Sequence, residues 1–130
     1  MSVVLDDIAT YLTNQNVVGG ATGWPVMKMF FYDDDSRAVL LQLEEGPKPD
    51  TRWDVDYPIL HVWVRGDEQE HEAAQTKMQE IIDTLFINDS GIGSGYVYVN
   101  QISSGYNTFS LDASRRAVLS KRFEIMRDIT

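Results

Sequence analysis

The chain has 130 residues, of which 43% are hydrophobic, and it carries a formal net charge of −9. This size suits one domain, and the hydrophobic fraction is that of a chain that folds rather than one that stays disordered. Because cysteine is absent, disulfide bonds, thiol chemistry and Cys-ligated zinc are excluded. The sequence therefore predicts a single domain over residues 1–130.

Targeting signals are not recognisable in the sequence. No apolar run approaches the roughly 20 residues of a membrane span, and the first residues carry no basic export signal. These features favour synthesis in the cytoplasm and no association with a membrane.

Charge is distributed unevenly along the chain. Five of the eleven basic residues fall in the last sixteen positions, whereas Asp33–Asp35 and Glu44–Glu45 form acidic clusters before them. An acidic surface repels phosphate, so a protein that reads nucleic acid is not favoured. The simplest interpretation of each acidic cluster is a solvated turn.

The first 45 residues predict a helix and a β-hairpin. Apolar residues at helical spacing indicate a helix over 2–15, namely Leu5, Ile8, Ala9 and Leu12. The extended runs Val26–Tyr32 and Arg37–Glu44 then flank a short acidic turn, for which a hairpin is the usual structure. A polar loop over Gly46–Asp54 follows, with two prolines and no periodicity.

Residues 56–86 predict a strand that leads into an amphipathic helix. In the strand Tyr57–Arg65, alternation places one set of side chains on one face, Leu60, Val62 and Val64. The other face receives Ile59, His61, Trp63 and Arg65. Gly66 and Asp67 are expected to end the strand, with Asp67 as the N-cap of the helix. The apolar stripe of that helix is Ala74, Met78, Ile81, Ile82 and Leu85.

Two extended runs, Tyr96–Ser103 and Ala117–Ile129, complete the predicted elements, with a loop over Ser104–Ser114 between them. Lys121 falls on the apolar side of the last run, which suggests a bulge or an edge position. The predicted fold class is α+β in the order α-β-β-β-α-β-β, with two helices packed on one face of a mixed, mostly antiparallel sheet.

The opposite face of this sheet has a large apolar surface in the prediction. It carries Ile59, Trp63, Tyr96, Tyr98 and Ile102. A surface of this kind is usually covered by contact between subunits.

Chemical motifs do not favour an enzyme. His61 and His71 with Glu68, Glu70 or Glu72 lack the spacing of a metal site, and His71-Glu72 does not continue as HExxH. The glycines of Gly91–Gly95 follow a helix and precede a strand, which is the wrong order for a phosphate-binding loop. The acidic residues lie in predicted turns and on charged helix faces, where no apolar run buries them. The sequence therefore predicts no catalytic residue, cofactor or metal.

Three segments of the chain resemble one protein family. They are LDDIATYLTNQNV near the start, DYPILHVWVRGDEQEHEAAQTKMQEIIDTLF in the middle and FSLDASRRAVLSKRFEIMRDI at the end. In their amino-acid sequence and in their order along the chain, these segments resemble the small tail-terminator, or tail-completion, proteins of long-tailed bacteriophages. Those proteins are often grouped as phage minor capsid proteins.

The resemblance implies a structural virion protein with no catalytic residues. It implies a ring, expected to be hexameric, at the head-proximal end of the tail, which stops growth of the tail tube and receives the head connector. Tail-tube and head-completion proteins are then partners, and DNA passes through the lumen without specific binding. Another neck, connector or tail-tube subunit is the neighbouring alternative. An acidic protein-binding or inhibitory module is an alternative of a different class.

Candidate contact residues follow from side-chain chemistry. Large aromatic side chains with a polar group suit a subunit interface, and arginines suit its charged contacts. The predicted interface residues are Trp53, Tyr57, Trp63, Arg65, Arg115 and Arg122. An acidic lumen would repel DNA phosphates and let DNA slide. The lumen candidates are Asp33, Asp34, Asp35, Glu44 and Glu45.

Overall fold

The structure is a computed structural model that describes residues 3–19, 22–28, 37–49, 52, 55–68, 70–85, 96–102, 107–109 and 116–128. Helix α1 spans Val3–Asn14, and helix α2 spans His71–Thr84. The strands are β1 Val26–Lys28, β2 Ala38–Glu44, β3 Val55–Asp56, β4 Ile59–Glu68, β5 Tyr96–Gln101, β6 Asn107–Phe109 and β7 Arg116–Asp128. The α+β class is confirmed. The predicted order is not, because β3 and β6 are short strands that the sequence did not indicate.

Strands β2, β4 and β7 form the middle of one mixed sheet. β4 pairs antiparallel with both β2 and β7, whereas β1 lies parallel to β2. β3, β5 and β6 each pair antiparallel with β7. The predicted mixed, mostly antiparallel sheet is therefore confirmed.

β7, with 13 residues, is long enough to pair with two strands along each of its edges. Arg127 pairs with Asp56 of β3 and also with Tyr96 of β5, so β3 and β5 lie on opposite sides of β7. By the same reasoning β4 lies on the side of β3, and β6 lies on the side of β5. Pro58 separates β3 from β4, and its carbonyl still accepts a hydrogen bond from Ile125 N at 3.0 Å.

The predicted hairpin between β1 and β2 is wrong. Val26 pairs with Val39 and Lys28 with Leu41, which is parallel register. The cause lies at the start of β1, where Trp24 is buried in the core and the Pro25 carbonyl accepts a hydrogen bond from Val39 N at 2.9 Å. These contacts place the beginning of β1 beside the beginning of β2. The predicted turn at 33–36 lies outside the described residues.

Both helices pack on one face of the sheet, which we call the near face. The predicted helix stripes are buried there: Leu5, Ile8, Ala9 and Leu12 of α1 with Ala74, Met78, Ile81, Ile82 and Leu85 near or in α2. The sheet contributes Val39, Leu41, Leu60, Val62, Val64, Leu119, Phe123 and Ile125. The predicted alternation along β4 is thus confirmed. Within the residues that the structure describes, neither helix is long and apolar enough to cross a membrane.

The start of α2 differs from the prediction. β4 continues through Gly66 and Asp67 to Glu68, with a β-bulge between Arg65 and Glu68. The N-cap is Glu70 rather than Asp67, and its side chain makes no capping hydrogen bond to the helix. A Cβ at Gly66 would lie 2.8 Å from the Glu70 carbonyl oxygen, so glycine permits this close approach of strand and helix.

Lys121 occupies a regular position in the middle of the sheet. It pairs with Val62, and its side chain lies on the near face as that of Val62 does. Lys121 is 3% exposed. Burial lowers the pKa of its ammonium group. The bulge or edge position suggested for Lys121 is therefore wrong, since the irregularity of this ladder lies in β4.

Replacing Phe123 by Ala is expected to lower the free energy of unfolding by about 3–5 kcal/mol, because a fully buried aromatic ring leaves a cavity. Ile102, which is 51% exposed, provides the control. Ile102→Ala should change stability by no more than about 0.5 kcal/mol. Urea unfolding followed by circular dichroism measures both variants, and similar losses in the two would contradict this placement of the core.

Candidate interaction surface on the sheet

The far face of the sheet, which is turned away from α1 and α2, carries four rows of side chains across β2, β4 and β7. The first row is Ala38, Arg65 and Val118; the second is Leu40, Trp63 and Ser120; the third is Gln42, His61 and Arg122; the fourth is Glu44, Ile59 and Glu124. Residues opposite one another in an antiparallel pair lie close enough for direct contact. The register of three strands therefore gathers aromatic, charged and amide groups on one surface.

An apolar cluster lies at the β1 side of the far face. Met27, Ala38 and Leu40 are buried, and Trp63 packs against them while half-buried itself. The indole Nε1 of Trp63 donates a hydrogen bond to Gln42 Oε1 at 2.9 Å. Trp63 thus has its body against the sheet and its polar group satisfied within the chain.

Glu44 links β4 to β7 through one oxygen atom. Its Oε2 lies 3.0 Å from His61 Nδ1 and 3.0 Å from Arg122 Nε. The ring of His61 also lies against the indole of Trp63, with centroids 4.4 Å apart and an angle of 33° between the planes. Four of the far-face side chains therefore form one connected cluster, which we call the Glu44 cluster: Glu44, His61, Trp63 and Arg122.

Burial lowers the pKa of His61, and the Arg122 charge lowers it further, while Glu44 acts in the opposite direction. The imidazole is therefore neutral at pH 7. Since Nδ1 faces a carboxylate, the tautomer assigned from this contact has the proton on Nδ1, where it is donated to Glu44. An added proton then goes to Nε2.

Two hydroxyl groups of the far face, those of Tyr98 and Ser120, differ in their hydrogen bonding. The Tyr98 hydroxyl donates to Glu124 Oε1 at 2.8 Å, and burial together with this carboxylate raises the pKa of Tyr98 to about 12. In the part of the chain that the structure describes, the Ser120 hydroxyl is the buried side-chain group without a hydrogen-bond partner.

The predicted interface residues have different surroundings. Trp63 and Arg122 belong to the Glu44 cluster, and the Arg122 side chain is 56% exposed. Tyr57 is half-buried between β3 and β4, where a Cβ on Gly46 would clash with its carbonyl. Arg65 is only 2% exposed, which leaves it almost no surface for a neighbouring subunit. Trp53 and Arg115 lie outside the described residues.

The predicted lumen residues are described only at Glu44 and Glu45. Glu44 is half-buried and paired with His61 and Arg122, whereas Glu45 is exposed. Asp33, Asp34 and Asp35 lie outside the described residues.

Tyr96 does not lie on the far face as predicted. Tyr96 pairs with Arg127 and Tyr98 with Met126, so two steps along β5 match one step along β7. This bulge turns the two tyrosines to opposite faces. Tyr96 joins the near-face core, and its hydroxyl donates to Asp7 Oδ2 of α1 at 2.7 Å.

Sequence reasoning missed the contacts that hold the start of β2 and the segment after α1 against α2 and the residue before it. Arg37 donates from Nε and Nη2 to the Glu70 carboxylate at 2.8 and 2.6 Å, and its guanidinium lies 5.0 Å from the Trp24 ring. Lys77 donates to the Val17 carbonyl at 2.8 Å. These partners lie 33 and 60 residues apart in the sequence, and no local pattern relates them.

The two histidines are placed on different parts of the molecule. His61 lies on the far face, and His71 is exposed at the start of α2 with its Nε2 3.0 Å from Gln75 Nε2. Among residues with a described position, no group of three or more His, Asp or Glu side chains is arranged to hold a metal ion. On the far face, the half-buried Trp63 and the exposed Arg122 belong to one cluster, and side chains of these two types are enriched at protein interfaces.

Comparison of the sequence with models of protein families gives no match, and comparison with curated proteins gives none either.

Replacing His61 by Gln is expected to remove an acid-sensitive part of the stability. Because the pKa of His61 is lower in the folded chain than its ordinary 6.5, the unfolded chain binds the proton first as the pH falls. The wild-type chain should lose stability relative to His61→Gln from about pH 6.5 downward until the pH passes the folded-state pKa. Above that range the difference between the two should be constant.

Urea unfolding at a series of pH values measures this effect. His71→Gln is the matched control, since it removes the exposed imidazole of α2 and should retain the acid dependence of the wild type. Identical pH dependence in the wild type and His61→Gln would contradict the lowered pKa.

Proposed function

We propose that this chain is a structural subunit of a phage tail, which forms a closing ring at the head-proximal end and joins the tail to the head connector. The proposal begins from the resemblance in residues 5–17, 56–86 and 109–129. The observation that carries it furthest is the far face, where a half-buried Trp63 and an exposed Arg122 lie in one cluster. Tryptophan and arginine are the residue types most often found at the energetic centre of protein interfaces.

A ring also requires two unlike surfaces that meet head to tail. The described strands supply unlike edges, because β1 ends the sheet on one side and β5 and β6 lie along the other. The exposed Ile102 follows β5 directly. These edges support a heterologous contact between copies, in addition to the far face.

The acidic character of the chain supports passage of DNA without tight binding. The net charge is −9, and Glu45, directly after β2, is an exposed acid. Phosphate is repelled by such a surface, so a lumen lined by acids would not retain DNA. Under this proposal the chain resides in the virion, at the neck of the tail.

An acidic binding module is the second candidate, and the exposed side of α2 favours it. Glu72, Glu80 and Asp83 are exposed there, which would suit a basic protein partner. A further neck or tail-tube subunit is the alternative within the same particle.

Electron microscopy of the purified chain, together with light scattering over a range of concentrations, separates these candidates. A closed ring is expected for a tail terminator, and long stacks are expected for a tube subunit. A monomer or dimer that neither forms rings nor joins isolated tails would contradict the proposal and favour the binding module.

Replacing Trp63 by Ala is expected to weaken assembly at least about thirtyfold, because removal of a central aromatic contact typically costs about 2 kcal/mol or more of binding energy. The monomer should lose less, about 1–2 kcal/mol, since the ring is only half-buried. Native mass spectrometry measures assembly, and urea unfolding measures the monomer. Gln79→Ala on the exposed side of α2 is the control. Intact rings at wild-type levels from Trp63→Ala would contradict this role.

A further inference from the structure

We propose that the Glu44 cluster is a proton-operated switch on the far face. A proton bound at His61 Nε2 draws the Glu44 carboxylate to His61 and releases the Arg122 guanidinium into solvent. This inference does not require that the chain assembles, because every group in it belongs to one chain.

The geometry that carries the proposal is a single oxygen atom shared by two partners. Glu44 Oε2 accepts from His61 Nδ1 and from Arg122 Nε, both at 3.0 Å. When the imidazole is neutral, Arg122 carries the one positive charge among these three groups, and this charge balances the Glu44 carboxylate. When the imidazole becomes a cation, two positive charges compete for one oxygen, and each repels the other.

The burial of each partner decides which of the two contacts survives. The His61 side chain is 10% exposed and the Arg122 side chain is 56% exposed. A buried cation without a paired anion is far more costly than a cation in water. Arg122 can exchange Glu44 for water at little cost, and His61 cannot. Protonation therefore favours the His61–Glu44 pair and releases Arg122.

Among the residues that the structure describes, the remaining groups around His61 do not supply another carboxylate to the imidazole. From β2 it faces the neutral amide of Gln42, and from β4 the indole of Trp63 lies against its ring. From β7 it faces Arg122, and in the next row the Glu124 carboxylate accepts from the Tyr98 hydroxyl. Glu44 is thus the acid that receives the new charge, and the indole face adds a favourable contact with it.

The switch changes the charge of the far face. The three ionisable groups Glu44, His61 and Arg122 sum to zero with a neutral imidazole and to one positive charge after protonation. Because Glu44 then balances the imidazolium of His61, the unbalanced positive charge is that of the exposed Arg122 side chain, beside the half-buried Trp63. An anionic partner surface would then meet a positive rather than a neutral cluster.

A pH titration of the folded chain by NMR tests the proposal. It follows the His61 Cε1–H signal, assigned with His61→Gln, and the Arg122 Nε–H signal, assigned with Arg122→Lys. The two signals of the wild type are expected to move with one midpoint, below pH 6.5, as both report the same proton. Trp63 fluorescence should be quenched over the same range, because an imidazolium ring against an indole is a quencher, and Trp63→Phe should lose that component.

Variants of the two partners give opposite expectations. Glu44→Gln removes the acid that favours the imidazolium, so the His61 midpoint should move to lower pH. Arg122→Gln removes the competing cation, so the midpoint should move to higher pH, whereas Arg122→Lys should stay near the wild type. Circular dichroism confirms that each variant is folded.

The proposal is overturned if the Arg122 Nε–H signal of the wild type does not move while His61 titrates. It is also overturned if the His61 midpoint is the same in the wild type, Glu44→Gln and Arg122→Gln. The wild-type titration can overturn the proposal by itself, so the test is decisive even if a variant fails to fold.

Discussion

The pairing of β4 with β7 is the constraint on which the other features of this protein depend. Its register places Leu60, Val62 and Val64 opposite Phe123, Lys121 and Leu119, so that these side chains turn together toward the helices. The same register aligns His61 with Arg122 and Trp63 with Ser120 on the other side. Since a slip of one residue would exchange the two faces, the core and the far face are determined together.

The two faces of the sheet have different chemistry. On the near face, burial of apolar side chains from both helices supplies most of the stabilisation, as is usual for a layered α+β fold. On the far face, polar groups find partners inside the chain, and aromatic and arginine side chains stay partly accessible.

Much of the near face could be predicted from local patterns, because helical spacing and strand alternation are properties of neighbouring residues. The stripes of α1 and α2 and the two faces of β4 are of this kind. The parallel pairing of β1 and the bulge at Tyr96 were beyond such patterns, since each depends on contacts with a second strand that no pattern within one strand reveals. The cluster around Glu44 was missed for the same reason: Glu44 and Arg122 are 78 positions apart.

The position of β7 in the chain also affects how the molecule is made. β7 lies beside β3, β4, β5 and β6, yet it follows all of them in sequence. During synthesis the inner edge of β4 therefore has no neighbour until β7 emerges from the ribosome, and exposed strand edges of this kind invite pairing with other chains. β4 is thus exposed to pairing with other chains for as long as β7 has not joined it.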